Sequence, residues 1–95
     1  MKYRLLIPAY IEEAIRVLPP SLKRQIRAGL EAVHENPFTG KPLRDELKDY
    51  WAYRVNRYRI VYQIVHPRIE IHVVGIGPRA VIYERVLASS RQKKN

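Results

Sequence analysis

Trp51-Ala52-Tyr53-Arg54-Val55-Asn56-Arg57-Tyr58-Arg59-Ile60-Val61-Tyr62 decides the fold. Two short β-prone runs flank Asn56-Arg57, and asparagine tolerates the positive φ that a two-residue hairpin turn needs. That turn sets Val55 opposite Tyr58 and Arg54 directly opposite Arg59. Side chains alternate along a strand, so Tyr53, Val55, Tyr58, Ile60 and Tyr62 share one face and the two arginines share the other. Like charges opposed across a sheet are unfavourable by ~0.2–1 kcal/mol. A hairpin that keeps this penalty beside a well-patterned apolar face points to a polyanion site, and a phosphate matches the guanidinium fork. Two solvated arginines on an open face are the alternative.

The rest of the chain leans the same way. It has 95 residues and a formal net charge of +9, enough length for one domain, 1–95, and one modest core. Residues 1–50 carry nine basic and seven acidic side chains, whereas residues 51–95 carry nine basic and only two acidic ones, Glu70 and Glu84. The asymmetry favours an anionic partner. Nucleic acid ranks above membrane, because no basic amphipathic helix with a bulky apolar face is apparent. There is no cysteine, which removes disulfides and thiolate metal sites and fits a reducing compartment. No apolar run approaches the ~20 residues of a membrane span. Pro8 and Glu12-Glu13 interrupt any signal-peptide core, so the cytoplasm is the expected location.

Lys2 to Ile7 reads as a first strand stopped by Pro8. Ile11, Ala14, Ile15 and Leu18 then follow helical spacing up to Pro19-Pro20. Ser21 is placed to cap a second helix with the stripe Leu22, Ile26, Leu30 and Val33, ended by Asn36-Pro37. Gly29 is expected to permit close helix–helix approach. Phe38 to Tyr50, with Gly40 and Pro42, is loop chemistry in which Leu43 and Leu47 are the anchors. The strands run from about Tyr50 to Val55, Tyr58 to Val65 and Ile69 to Ile76. A short C-terminal helix follows over Val81 to Ala88, and residues 89–95 form a frayed basic tail. Helices early and strands late indicate an α+β fold, with the N-terminal strand and helical hairpin packed on one face of a small antiparallel sheet. The packed face carries Tyr53, Ile60, Tyr62, Ile71 and Val73. The other, with Arg54, Arg59, Gln63 and His72, is expected to be open.

A two-residue turn at Pro67-Arg68 puts Ile76 opposite Arg59, and Gly77-Pro78-Arg79 then carries Arg79 toward the Arg54/Arg59 pair. Tyr83, four residues on, falls on the same side of a helical turn. Three guanidinium groups and a phenol then converge at one end of the sheet, suited to a phosphate whose charge grows in a pentacovalent transition state. The competing reading is a surface arginine and a tyrosine packed under the last helix. His72 pairs near Gln63, about 13 Å along the strand from the arginines at ~3.3 Å per residue. His66 reads as a turn residue and His34 as a helix C-terminal one. Three scattered histidines make no metal site, and no cofactor motif is present, since Gly75-Ile76-Gly77 lacks the rest of a phosphate loop.

The order and spacing of these pieces resemble the RelE/ParE superfamily of toxins from toxin–antitoxin operons, over nearly the whole chain. Leu30 to Pro37, with Gly40 and Leu43, looks like the family's second helix, its Asn-Pro break and its Gly/Leu loop. Tyr53-Arg54-Val55 with Tyr58 to Tyr62 is similar to its central hairpin. Val74 to Arg79 with Tyr83 looks like its closing arginine-and-tyrosine motif. The resemblance implies a cognate antitoxin partner and, for RelE-like members, metal-independent cleavage of mRNA in the ribosomal A site, with contacts to 16S rRNA through the basic surface. The ribose 2′-hydroxyl attacks the adjacent phosphate and leaves a cyclic phosphate and a 5′-hydroxyl. By motif position Arg59 and Arg79 match phosphate-stabilising arginines, Tyr83 the active-site tyrosine and Arg54 a basic position often held by lysine. The sequence departs from the family in three places. Asn56-Arg57 replaces a turn glycine, Pro78 stands where His or Lys is common, and Ala52 replaces a second basic residue. An arginine is a poor base at neutral pH, so Tyr83 or ribosomal RNA is left to assist proton transfer. ParE-like relatives, which bind DNA gyrase and cleave no RNA, and a catalytically silent binding module are the alternatives.

Overall fold

Asn56 adopts a φ of 54° and closes the central hairpin with Val55 opposite Tyr58 and Arg54 opposite Arg59. A computed structural model of the chain describes residues 3–92. The hairpin strands are β3 (Trp51–Val55) and β4 (Tyr58–Val65), preceded by β1 (Arg4–Leu6), α1 (Ala9–Arg16), α2 (Pro20–Glu35) and β2 (Lys41–Pro42). They are followed by β5 (Glu70–Pro78) and α3 (Arg79–Gln92). The sheet order is β1-β5-β4-β3-β2. All pairings are antiparallel except β1 with β5, which is parallel. The N-terminal strand therefore joins the sheet edge, and α1 and α2 form the layer above it.

The apolar faces meet as their spacing requires. Ile11 and Ile15 of α1 and Ile26, Leu30 and Val33 of α2 bury against Val55, Ile60, Tyr62, Ile71 and Val73 of the sheet. Ala14, counted in the α1 stripe from its spacing, is exposed. Ser21 does not cap α2. Pro20 occupies its first turn, flanked by Pro19 with no side-chain cap; proline suits that position because its φ is preset and its missing N–H has no helical partner there. Gly29 serves helix–sheet rather than helix–helix contact. A Cβ there would lie 2.8 Å from Val55 Cγ2 and 3.0 Å from Ile60 Cδ1, closer than packed carbons approach. Across the two helices, Arg27 donates to Glu12 at 2.8 Å and holds that carboxyl below its usual range.

The second face is not fully open. α3 is longer than the expected 81–88 and covers it, burying Ile82 and Val86 on Val61, with Leu43, Leu47 and Tyr50 at the margin. Residues 89–92 continue this helix rather than fraying, and 93–95 of the expected tail lie outside the described residues. The β4–β5 register also departs from expectation. Tyr62 pairs with Val73 but Val61 with Gly75, so Val74 forms a bulge and Arg59 faces Gly77 rather than Ile76. The extra residue reverses the alternation. It returns Ile76 to the α1/α2 side and lays Gly75 and Gly77, both buried, under α3. A glycine pair beneath a helix permits the close approach that the bulkier Ile76 would block.

Candidate active site

The turn that closes the hairpin also orients one of its arginines. Arg59 Nη1 donates to the backbone carbonyls of Asn56 at 3.1 Å and Tyr58 at 2.9 Å. One edge of this half-buried guanidinium is thereby fixed, and its Nε–Nη2 edge has no protein acceptor among the described residues. Arg54, its cross-strand partner, is exposed. Tyr83 packs against the Val61/Ile82/Val86 cluster. Arg54, Arg59 and Tyr83 line one open cavity of about 590 Å³. Arg79 opens α3, where its N–H donates to the Arg57 carbonyl at 2.8 Å. Its exposed side chain is not among the residues lining that cavity.

A second wall consists of residues whose sequence reads as an ordinary loop. Thr39 to Arg44 line it, adding the cations of Lys41 and Arg44 to those of Arg54 and Arg59. None of the lining residues is acidic, and none of these four cations is ion-paired among the described residues. The wall stands there because Lys41 pairs with Ala52 and Pro42 with Trp51. A two-residue strand has no periodicity to read, so the long-range pairing left no local signal.

Tyr62 holds this wall from inside the core. Its hydroxyl, wholly buried, donates to the Pro37 carbonyl at 2.6 Å. Burial pushes the phenol up to about 12, while the Gly40 N–H offsets part of that rise. Gly40 has no room for a side chain: a Cβ would fall 2.4 Å from the Tyr62 hydroxyl and 2.8 Å from the Ala52 carbonyl. The cavity thus rests on a rigid core contact, the arrangement that keeps a site's geometry fixed.

A larger cavity of about 750 Å³ lies between β1, β5 and the end of α3, lined by Tyr10, Tyr50, Gln63, His72 and Ser89 among others. It has no cationic Lys or Arg in its lining. His72 Nε2 meets Glu70 Oε1 at 2.8 Å, and that contact holds the Glu70 carboxyl below its usual range, with Arg4 adding to the effect. His72 pairs with Gln63, four residue steps from the Arg59 pairing. For a polyanion the smaller cavity is the better site, because charge rather than volume sets the attraction. His34 Nε2 donates to the Tyr3 carbonyl at 2.8 Å, and His66 sits in the β4–β5 turn. Among the described residues, no group of three or more His, Cys, Asp or Glu is placed to hold a metal ion.

The architecture recurs in solved structures. A double arginine-to-alanine mutant of the Escherichia coli toxin RelE in the free state is 23% identical over 98% of both chains, with a TM-score of 0.73. The toxin–antitoxin complex RelBE2 from Mycobacterium tuberculosis matches at 22% identity and a TM-score of 0.72, over 83% of this chain and 100% of the other. The archaeal RelE–RelB complex from Pyrococcus horikoshii matches at 20% and 0.70, over 85% of this chain and 99% of the other. No curated protein matches the chain in sequence. At such identities the shared property is the fold. The family model for the ParE toxin of type II toxin–antitoxin systems, parDE, matches residues 4–83, and the chain therefore belongs to that toxin family, within the RelE/ParE superfamily.

Proposed function

We propose that this toxin is a ribosome-dependent mRNA endoribonuclease, with Arg54, Arg59, Arg79 and Tyr83 at its catalytic centre and guanidinium groups carrying the charge stabilisation. The observation that carries the reading is the cavity that Arg54, Arg59 and Tyr83 share with Lys41 and Arg44. In the reaction the ribose 2′-oxygen bonds to phosphorus as the bond to the 5′-oxygen breaks, giving a cyclic phosphate and a 5′-hydroxyl. The 2′-hydroxyl loses a proton and the leaving oxygen gains one. Arg59 stabilises the growing phosphate charge from a preset orientation, which is the efficient form of electrostatic catalysis. Arg79, exposed at the start of α3 and outside the cavity lining, is to swing onto the phosphate once RNA is bound. Arg54 supplies further charge, and Tyr83 is the group that can exchange a proton with a reacting oxygen. Lys41 and Arg44 hold flanking phosphates or 16S rRNA. Such work takes place in the cytoplasm.

Single-turnover cleavage on programmed ribosomes tests this reading. Arg59→Ala and Arg79→Ala are each expected to lose ~10²-fold or more, equivalent to about 2.7 kcal/mol. Arg54→Lys is milder because a point charge remains. Full activity in a folded Arg59→Ala/Arg79→Ala double variant would refute it. The ParE description of the matching family favours a second reading, a gyrase-directed toxin without RNase activity. Gyrase-mediated DNA breaks measured alongside RNA cleavage separate the two.

The regulating partner is a cognate antitoxin, as in the RelBE2 and RelE–RelB complexes of similar fold. The excess of basic over acidic residues in 51–95 attracts an acidic segment to the cavity or to α3, and salt should slow that association. A rate indifferent to salt would argue against this mode of recognition.

A further inference from the structure

The turn between β3 and β4 is joined to α2 by one side-chain hydrogen bond, Asn56 Nδ2 donating to Gln25 Oε1. The same turn supplies two backbone acceptors to the arginines. The Asn56 carbonyl receives Arg59 Nη1 at 3.1 Å, and the Arg57 carbonyl receives the Arg79 N–H at 2.8 Å. We infer that Gln25 is a positioning residue for the candidate active site, acting through Asn56 on the orientation of Arg59. The inference rests on the cleavage reading above for its consequence, and on these contacts for its geometry.

Other contacts hold the strands of the hairpin more firmly than its turn. Val55 and Ile60 are buried beneath α2 and fix the strands. Asn56 and Arg57 project beyond that packing and are exposed, and Asn56 stands at a φ of 54°, a region most residues avoid. An exposed two-residue turn has few contacts to select one orientation of its carbonyls. The amide of Gln25 adds one, anchored on a 16-residue helix. With the Asn56 carbonyl held, Arg59 Nη1 stays engaged and its Nε–Nη2 edge is presented to the cavity as a planar pair of donors, the form that grips a phosphate bidentately. Among the described residues Arg54 has no such support, so the hairpin offers one prealigned guanidinium and one adaptable one. Where a glycine turn would lack an amide at this position, Asn56 supplies both the left-handed backbone and the tether.

Arg59 guanidinium signals in ¹⁵N-edited NMR provide a readout independent of activity, since an engaged Nη1 slows rotation about the Nε–Cζ bond. Gln25→Leu removes the acceptor at a position exposed to solvent. It is expected to average the Arg59 signals and to lower cleavage about 3- to 10-fold, the cost of immobilising one long side chain at each encounter. Gln25→Glu keeps an acceptor and should restore both. Asn56→Gly keeps the backbone conformation without the tether, so the double variant Gln25→Leu/Asn56→Gly should lose no more than the larger single loss. Resolved, unchanged Arg59 signals in folded Gln25→Leu overturn the inference. So does unchanged cleavage in that variant when Arg59→Ala is inactive. Full cleavage by Arg59→Ala instead removes Arg59 from the catalytic centre of the proposed function, and the Arg59 signals still decide the role of Gln25.

Discussion

Replacing Tyr62 with phenylalanine tests whether the cavity wall hangs on a single buried hydroxyl. The ring stays packed among Ile60, Val33 and their neighbours, so the apolar contribution is retained. The loss is the 2.6 Å bond to the Pro37 carbonyl and the contact with the Gly40 N–H. A buried polar group left without a partner costs roughly 1–3 kcal/mol. For a domain of this length each kcal/mol lowers Tm by about 4–8 °C, so a fall of about 4–24 °C at neutral pH is expected. The pH dependence carries the same contact. The folded phenol ionises at about 12, above the ordinary tyrosine value near 10. Its contribution is therefore complete below pH ~10 and lost as pH rises from there through the folded value, by roughly 1.4 kcal/mol per pH unit at most. Thermal melts of both proteins from pH 7 to 11.5 should converge at the alkaline end, the difference between them cancelling the titration of the other tyrosines. A Tyr62→Phe variant that melts within 1 °C of the parent at neutral pH, or a gap that does not narrow above pH ~10, would refute the reasoning.

Three other outcomes follow from the same contacts. Lys41→Ala and Arg44→Ala should weaken RNA binding across sequences, each reducing the slope of log affinity against log salt by about one; equilibrium titrations at several salt concentrations measure it. His72→Ala should leave ribosomal cleavage unchanged while the Glu70 carboxyl titrates higher, toward the ordinary carboxylate range, as NMR can follow. Gly29→Ala should destabilise the fold by about 1–3 kcal/mol in denaturant melts, because the added methyl meets Val55 and Ile60 of the sheet rather than solvent.

The sequence by itself determined the helical hairpin, the three main strands, the Arg54–Arg59 opposition and the family resemblance. Each rests on local periodicity or on turn chemistry, which a short window of residues contains. Asn56 is the clearest case, since its tolerance of positive φ set a register that held down the whole of β3. The bulge at Val74 was not legible, because it is chosen by a distant requirement. Gly75 and Gly77 must face α3 while Ile76 must reach the other core, and no pattern within β5 announces a helix that follows it. The same holds for the cover over Val61. Hairpin register and turn chemistry, and then the family motif, brought Arg54, Arg59, Arg79 and Tyr83 to attention, but only the tertiary structure put Lys41 and Arg44 in one cavity with Arg54 and Arg59. It did so through a two-residue strand and a tyrosine hydroxyl 25 positions along the chain from the carbonyl it holds. Contacts of that kind are selected by what remains to be buried or hydrogen-bonded once the main elements are packed.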